Sequence, residues 1–345
     1  MKLKLLQFLH PAMVVFPMNY QVLAYYILTS IEAPHDEVAK HQEFFSTRDL
    51  KSRIYISEQG INGQMSGSTE HAAEYMQWLK SDPRFAEVSF KIHPAAEHAF
   101  AKATIKYRKQ LVALDAEVDL NNRGTHVPPA EWKQMLEEQD PDTLLLDVRN
   151  DYEWKVGRFE GANLPALETF RQFPQYAQEL QKTHDPKKTR VMMYCTGGIR
   201  CEFYSAALKA QGFEQVYQLD GGVIQYGLDE GQKHWEGKLF VFDDRLVVPL
   251  SDEEAPAIAE CKYCGTTVDT YLNCANMDCN ALFVCCPECV RAHRGCCCEG
   301  CLEGRVRPLP ENAPHKPFRK FPFEEKQALS RKNFPPGEKI SSGAN

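Results

Sequence analysis

The stretch VMMYCTGGIRCE (residues 191–202) decides the fold of the middle of the chain. Its first four residues form a continuous apolar run of the kind found in buried parallel strands. Cys195 follows directly, and a short loop with two glycines leads from it into a helical pattern. Because ligands of parallel α/β sheets collect at the carboxyl ends of the strands, we predict a functional site at Cys195.

The loop after Cys195 suits a reactive thiol. A loop that enters a helix directs backbone N–H groups and the positive end of the helix dipole at its centre, which favours a thiolate at neutral pH. Arg200 would add a positive charge at the rim. We predict Cys195 and Arg200 as catalytic residues; the active-site loop between them is Thr196, Gly197, Gly198 and Ile199. The alternative is a buried cysteine that happens to precede a turn.

Strands and helices alternate on both sides of this stretch, from about residue 125 to about residue 250. The apolar run 144–148 predicts a second buried strand, and residues 167–180 predict a helix. The pattern predicts an α/β domain over residues 125–250, with a doubly wound parallel sheet covered by helices on both faces.

Three segments make this domain resemble rhodanese domains, in which the loop cysteine carries a persulfide. They are CTGGIR (195–200), LLLDVRNDYEW (144–154) with GRFEGANLP (157–165), and YQLDGGVIQY (217–226). The resemblance implies that Asp147 and Arg149 lie beside the active loop, Asp147 as a structural or polarising carboxylate and Arg149 bonded to Glu153 or to a loop carbonyl. A surface ion pair is the alternative for these two. Phosphatases of this fold have a loop one residue longer, so the shorter loop here favours sulfur chemistry.

The region before the rhodanese-like domain has an α+β pattern over residues 19–118. Strand and helix signals follow the order strand-helix-strand-strand-helix-strand, which predicts a ferredoxin-like, acylphosphatase-like unit. We expect Gly60, Asn62 and Gly63 to form a turn with positive φ. Residues 1–18 are an N-terminal extension that lacks a signal-peptide pattern, and Met18 is a candidate start. The remaining predicted elements are strands 22–28, 53–57, 88–92 and 104–112 and helices 34–45 and 68–79.

The chain has 13 cysteines, and 11 of them lie between Cys261 and Cys301. Without an export signal, this clustering favours metal binding over disulfides. We predict a module over residues 255–305 with two structural zinc sites, whose ligands are Cys261, Cys264, Cys274, Cys279, Cys286, Cys289, Cys297 and Cys301. Alternate ligands are Cys285, Cys296, Cys298 and His293. The spacing leaves open which pairs share a metal, and an iron–sulfur cluster is the alternative.

Taken together, residues 20–305 resemble the bacterial rhodanese-domain tRNA-uridine hydroxylases. The segments that carry this resemblance are SEQGINGQMSG (57–67), YCTGGIRCE (194–202), GKLFVFDDR (237–245) and the cysteine-rich region. The resemblance implies oxygen-dependent conversion of the wobble uridine to 5-hydroxyuridine, with Cys195 essential, molecular oxygen as co-substrate and the tRNA anticodon loop as partner. Two other functions stay open: a persulfide sulfurtransferase, with a thiol or tRNA as acceptor, and a non-catalytic zinc-bearing scaffold that binds RNA or protein.

Charge and composition narrow the partners. The formal net charge is −7, so RNA would have to contact a local basic patch, such as KATIKYRK (102–109) or the basic, proline-rich tail 306–345. No apolar run is long enough for a membrane helix, and no GxGxxG motif indicates a nucleotide cofactor. We expect a cytoplasmic enzyme that also meets a sulfur donor or reductant protein. Cys201 could resolve an oxidised Cys195 or simply pack as a small buried residue.

Overall fold

The computed structural model describes residues 18–309 apart from 115, 139, 166, 168 and 169. The chain divides into two compact units, the first ending at Ala113 and the second beginning at Leu114. The predicted extension up to residue 17 and the basic tail from residue 310 lie outside the described residues. No helix in the part that the structure describes is both long enough and apolar enough to cross a membrane.

The first unit is a five-stranded sheet with two helices packed on one face. Its elements are β1 (Tyr20–Leu28), α1 (Pro34–Ser46), β2 (Leu50–Ser57), β3 (Gly60–Ser68), α2 (Thr69–Lys80), β4 (Ser89–Ala95) and β5 (Ala103–Tyr107). The strand order is β4-β1-β3-β2-β5, antiparallel except for the parallel pair of β2 and β5. The predicted ferredoxin-like order is confirmed, with β5 added at one edge.

Local chemistry explains the helices of this unit. Pro34 opens α1, and the Ser68 hydroxyl caps α2 by accepting the His71 N–H at 3.3 Å. The core between helices and sheet centres on Tyr25 and Tyr75, which are buried and share a hydrogen bond between their hydroxyls. This core lies against the helix-covered face of the sheet; the other face is mostly polar and carries a small apolar cluster of Val22, Ala99 and Phe100 at one end.

The predicted turn at Gly60–Gly63 was wrong. The chain reverses at Glu58 and Gln59, and β3 already begins at Gly60, the only residue of the three with a positive φ (135°). Asn62 and Gly63 are ordinary strand residues paired across β1 and β2. Gly63 is required for a packing reason instead, because a Cβ there would lie 2.4 Å from the ring of Tyr25.

The second unit begins with a rhodanese-type α/β domain. Its elements are β6 (Thr125–Val127), α3 (Pro129–Glu138), β7 (Thr143–Asp147), α4 (Asp151–Trp154), β8 (Gly157–Phe159), α5 (Phe173–Thr183), β9 (Arg190–Tyr194), α6 (Ile199–Ala210), β10 (Gln215–Leu219) and α7 (Gly222–Glu230). The central sheet is parallel throughout, in the order β6-β10-β9-β7. The predicted parallel sheet is confirmed. Cys195 follows the central strand β9, and Asp147 ends its neighbour β7.

The helix predicted over 167–180 begins later. A short 3-10 turn spans Phe170–Gln172, and α5 runs from Phe173 to Thr183 with Pro174 in its first turn. Proline lacks an N–H and favours the first turn of a helix, so it marks where the helix starts.

The cysteine-rich region packs on the rhodanese-type domain within the same unit. Three short strands precede it, β11 (Trp235–Gly237), which pairs with β8, β12 (Leu239–Phe240) and β13 (Val247–Val248), and the region itself contains β14 (Tyr271–Asn273), β15 (Leu282–Val284) and α8 (Pro287–Ala292). A shared apolar cluster includes Val156, Phe240, Tyr271 and Val284. The hydroxyl of Tyr271 donates to the backbone carbonyl of Tyr152 in α4 at 2.8 Å. The module is therefore anchored to α4, the short helix next to the active loop.

Candidate active site

The Cys195 side chain sits at the centre of a tight loop. Its residue has no exposed surface, and the Gly198 N–H donates to Sγ at 3.2 Å. The thiol and the backbone N–H of Cys201, in the first turn of α6, also donate to this sulfur. Gly198 has φ 104°, which lets the chain turn sharply into α6. A substrate can reach the sulfur only after the groups that cover it move.

This setting lowers the pKa of Cys195. Burial alone would raise the pKa of the thiol. The hydrogen bond from the Cys201 thiol, the charge of Arg200 and the two backbone N–H groups outweigh burial and lower the pKa of Cys195 to about 5. Burial and the neighbouring thiolate raise the pKa of Cys201, so this second thiol stays protonated and acts as a donor. Cys195 is thus a thiolate at neutral pH.

A second layer holds the loop from behind. The N–H groups of Val223 and Ile224, at the start of α7, donate to the carbonyls of Cys195 and Thr196, each at 3.0 Å. Gly222 touches the loop directly: a Cβ there would lie 2.6 Å from the Cys195 oxygen and 2.7 Å from the Gly198 nitrogen. Sequence reasoning did not give Gly222 a site role, although YQLDGGVIQY contained the signal.

We expect Gly222→Ala to destabilise the protein by about 2–4 kcal/mol and to reduce the reactivity of Cys195, because the methyl group both clashes with the loop and forces a strained φ of +68°. Chemical denaturation of the variant measures the loss. Gly161→Ala is the matched control: φ there is +71° with nothing within 4 Å, so about 1 kcal/mol of strain is expected without the clash. Equal losses in both variants would mean that Gly222 matters only for its backbone angle.

Glu153 connects the loop to α4. Its carboxylate is fully buried and accepts from Arg200 Nη1 at 2.6 Å, from Arg200 Nη2 at 2.7 Å and from the Thr196 hydroxyl at 2.7 Å. Burial raises the pKa of Glu153, but the charge and hydrogen bonds of Arg200 outweigh it and hold that pKa below its ordinary value. Arg200 was expected at the rim; it is instead buried, because Glu153 neutralises it inside.

Asp147 and Arg149 form a buried pair beside the loop and not a surface ion pair. Arg149 donates to the two Asp147 oxygens at 2.9 and 2.6 Å and to the Gly157 carbonyl at 2.7 Å, and both side chains have no exposed surface. Neither partner expected for Arg149 is the one found: the carbonyl it bonds belongs to Gly157 of β8 and not to a loop, and Glu153 bonds Arg200 instead. The guanidinium also lies 5.0 Å from the Trp235 ring, which fixes its plane.

Replacing Glu153 with Gln is expected to destabilise the second unit by about 3–5 kcal/mol, because the amide leaves the buried Arg200 guanidinium without a countercharge. Thermal and chemical unfolding measure the effect. Glu236→Gln removes the carboxylate of a half-exposed pair with Arg158 and is expected to change stability by about 1 kcal/mol or less. A loss for Glu153→Gln no larger than for this control would show that the buried pair contributes little.

The structure brings the eight preferred cysteines into two groups of four. Cys261, Cys264, Cys286 and Cys289 form one group, and Cys274, Cys279, Cys297 and Cys301 form the other. Within each group all sulfurs lie within 4.8 Å of one another. The first pair along the chain joins the third, and the second joins the fourth, so the two groups interleave as a cross-brace. Each group could hold a metal ion.

The sulfur spacing fits a tetrahedral thiolate site. Bonds of about 2.3 Å from zinc to sulfur place the ligands about 3.8 Å apart. The structure has 3.7 Å between Cys264 and Cys286, 3.7 Å between Cys279 and Cys297, and 3.8 Å between Cys297 and Cys301. Cys285 and Cys298 lie beside the groups, at 3.9 Å from Cys261 and 3.5 Å from Cys301. His293 stacks on Tyr263 with ring centroids 3.6 Å apart and belongs to neither group.

Arg305 and Arg307, which lie just before and within the start of the predicted basic tail, have structural partners. Arg305 pairs with Asp278, and Arg307 is buried, donating to the Cys274 carbonyl at 2.5 Å and to Asn280 Oδ1 at 2.9 Å. The start of the predicted tail therefore packs on the cysteine-rich module. Lys316, Arg319, Lys320 and the neighbouring Phe318, Phe321 and Phe323 lie outside the described residues.

Three family models match the chain in order: a UPF0176 acylphosphatase like domain over residues 20–111, a rhodanese-like domain over 128–227 and a rhodanase C-terminal domain over 236–302. With the fold and the Cys195 loop, they define a rhodanese-domain protein with an acylphosphatase-like N-terminal domain and a cysteine-rich C-terminal region.

Three similar proteins carry the name tRNA uridine(34) hydroxylase. The relative from Protochlamydia amoebophila is 56% identical over 91% of this chain and 98% of its own length. Relatives from Chlamydia felis and Chlamydia pneumoniae are 55% and 54% identical, each over 88% of this chain and 94% of their own length. The chain belongs to the tRNA uridine(34) hydroxylase family.

Proposed function

We propose that this protein is an enzyme that hydroxylates the wobble uridine of tRNA at C5, using molecular oxygen and giving 5-hydroxyuridine. The observation that carries the proposal is a Cys195 thiolate held in a rhodanese loop, within a chain more than half identical to tRNA uridine(34) hydroxylases over most of its length. The partner is the tRNA anticodon loop, the reductant is of the thiol class, and the reaction takes place in the cytoplasm.

The Cys195 thiolate makes C5 of the uracil nucleophilic. The C5 carbon of uracil does not react with oxygen by itself. Addition of the Cys195 thiolate to C6 forms a C–S bond and places the electron pair on C5 as an enolate-like nucleophile. Before attack, the N–H of Gly198 and the thiol of Cys201 hold the thiolate, and Arg200 contributes positive charge. Thr196 and Glu153 fix Arg200 in place.

The remaining steps balance with a thiol reductant. The C5 nucleophile adds to oxygen to give a C5 hydroperoxide after protonation. Two thiols reduce the hydroperoxide to the C5 hydroxyl, with release of water and formation of one disulfide. Loss of the C5 proton and departure of the Cys195 thiolate from C6 restore the double bond. The net conversion consumes one oxygen molecule and two thiols per uridine and returns Cys195 as a thiolate.

A reconstituted reaction tests this function. Full-length protein, unmodified tRNA and a dithiol reductant are incubated under ¹⁸O₂, and the digested nucleosides are analysed by mass spectrometry. Hydroxylation predicts a nucleoside that is heavier than uridine by one ¹⁸O atom, and no product under argon. A sulfur-bearing nucleoside in place of the hydroxylated one would favour the persulfide sulfurtransferase. A further sample uses tRNA from cells that lack the gene, together with metal-loaded protein and reductant. If this sample gives no product, both the hydroxylase and the sulfurtransferase functions are contradicted.

We propose that the two four-cysteine groups bind zinc in a structural role. Four thiolates complete the coordination of each ion, and no open position is left for substrate. Elemental analysis of the purified protein tests the metal, with about two zinc ions per chain expected. If the analysis instead finds iron and acid-labile sulfide, and the protein has a visible absorption band, the cysteine groups bind an iron–sulfur cluster and not zinc.

A further inference from the structure

The face of the N-terminal sheet opposite the helices is cationic. Strand register places Lys51, Arg53 and Tyr55 of β2 on this face, beside Thr104 and Lys106 of β5 and opposite Asn62 and Gln64 of β3. Register with β1 and β4 adds Ala24, Tyr26 and Lys91 to the same face. Five cations on it are at least partly exposed, including those just outside β5, while Lys91 is buried; the five are Lys51, Arg53, Lys102, Lys106 and Arg108.

No strand residue on this face is acidic. The acids that adjoin the two ends of β2 are both engaged: Asp49 by His98 at 2.8 Å and by Tyr20 at 3.1 Å, and Glu58 by the Tyr107 hydroxyl at 3.1 Å. This acid-free set of five accessible cations contrasts with the net charge of the whole chain, which is −7. A local concentration of positive charge attracts a polyanion such as a nucleic acid, whose phosphates are spaced along its backbone.

Two tyrosines lie among these cations. The Arg108 guanidinium carbon lies 4.9 Å from the centroid of the Tyr55 ring, and the Lys91 ammonium lies 5.2 Å from that of Tyr26. Aromatic rings and guanidinium planes are the surfaces on which unstacked RNA bases pack, whereas duplex RNA is bound through its backbone and shape. The mixture of flat rings and cations therefore favours a single strand over a duplex.

We infer that this open face, centred on Tyr55, Lys106 and Arg108, binds a single-stranded stretch of the tRNA substrate. The inference rests on the proposed function and assigns a surface to its partner. The exposed cations of 102–109 contact phosphates, and a base stacks against Tyr55 and Arg108. The segment KATIKYRK thus serves as both the edge strand and the phosphate contact, because its alternate residues Thr104, Lys106 and Arg108 share the open face.

Binding of a fluorescent anticodon stem-loop to the full-length protein tests this surface. We expect Lys106→Gln/Arg108→Gln to weaken binding about tenfold at about 0.1 M salt and to reduce the slope of log K against log salt by about 1.5, since two phosphate contacts are lost. Lys40→Gln/Lys80→Gln, which removes two cations from the helices of the same unit, should stay within about twofold. Tyr55→Ala should weaken binding about tenfold because the ring stacks on a base. Tyr55→Phe keeps the ring, so its affinity should stay within about twofold of the wild type.

Two results would overturn the inference. In the first, Lys106→Gln/Arg108→Gln binds the stem-loop as tightly as Lys40→Gln/Lys80→Gln does, while the wild type still hydroxylates tRNA. This result contradicts the binding surface and leaves the proposed function intact. The other comes from the unsubstituted protein, whose folding is not in question: photocrosslinking with 4-thiouridine in the anticodon loop should label the peptides containing Tyr55 or residues 102–109, and labelling only elsewhere excludes this face. If the wild type neither binds nor hydroxylates tRNA, the proposed function itself fails. Tighter binding of a matched duplex than of the loop would assign the face to backbone recognition and contradict the role of the tyrosines.

Discussion

Replacement of Cys195 with serine is expected to lower kcat/KM for 5-hydroxyuridine formation by about a thousandfold or more. The serine hydroxyl fits the same cavity but is not ionised near neutral pH, so no nucleophile is available to add to C6 of the uracil. Product formation by nucleoside mass spectrometry measures the loss. Unchanged melting temperature and unchanged tRNA affinity in the variant would locate the defect in the chemical step.

The pH dependence should report the same thiolate. Because the pKa of Cys195 is lowered to about 5, kcat/KM should be flat near neutral pH and fall as the pH drops through about 5, where the thiolate becomes protonated. Cys201→Ala removes a donor to the sulfur, so the pKa of Cys195 rises and the acid limb moves to higher pH. A limb that stays in place in Cys201→Ala would mean that Cys201 does not act on the sulfur.

A covalent trap separates this mechanism from others. A tRNA with 5-fluorouridine at the wobble position should remain attached to Cys195, because fluorine cannot leave C5 as a proton does. The adduct is found by peptide mass spectrometry, and Cys195→Ser is its control. Active enzyme that gives no adduct, or a serine variant that keeps more than about a tenth of the activity, contradicts nucleophilic addition by Cys195.

The centre of the site could be predicted because its determinants are local. A buried strand, a cysteine, two glycines and the start of a helix lie within one stretch of sequence, and their chemistry follows from that order. The same holds for the alternating strands and helices around it. The N-terminal order of elements was also readable, because polar and apolar residues alternate with the periods of strands and helices.

The partners of the loop could not be predicted, because they come from distant elements. Each of the two arginines has several acidic residues close to it along the chain. Only the packing of α4 decides that Glu153 pairs with Arg200 and that Asp147 pairs with Arg149. Gly222 belongs to a Gly-Gly turn that the sequence shows, but its role depends on a close approach between the ends of β9 and β10 that the turn alone does not reveal. The expectation of Arg200 at the rim was wrong, because the buried Glu153 carboxylate neutralises the guanidinium inside the domain.

Replacing a single metal-group cysteine, Cys274→Ser, is expected to unfold the cysteine-rich module and to abolish most of the hydroxylation. Structural zinc contributes about 10–16 kcal/mol of folding free energy in zinc-finger peptides at neutral pH, which exceeds the stability of a small module. The cross-brace makes the two sites interdependent, because each metal group takes cysteines from both halves of the module. Metal content should therefore fall from about two ions per chain to one or fewer.

The loss should also reach the active loop. Unfolding of the module removes the hydrogen bond from Tyr271 to the Tyr152 carbonyl and the apolar cluster shared with Phe240. These contacts hold α4, and the next residue of α4, Glu153, is the one that fixes Arg200 and Thr196. Activity should therefore fall in Cys274→Ser even though none of the eight cysteines in the two metal groups lies in the loop around Cys195.

Cys298→Ser is the matched control for this prediction. Cys298 is exposed and lies next to Cys301, but it belongs to neither group of four. This variant should keep about two metal ions and near wild-type activity. Elemental analysis, circular dichroism and nucleoside mass spectrometry on both variants separate the outcomes. If Cys298→Ser loses metal while Cys274→Ser keeps it, the grouping of the ligands is wrong; if Cys274→Ser loses metal but keeps full activity, the route from the module through Tyr152 and Glu153 to the loop does not operate.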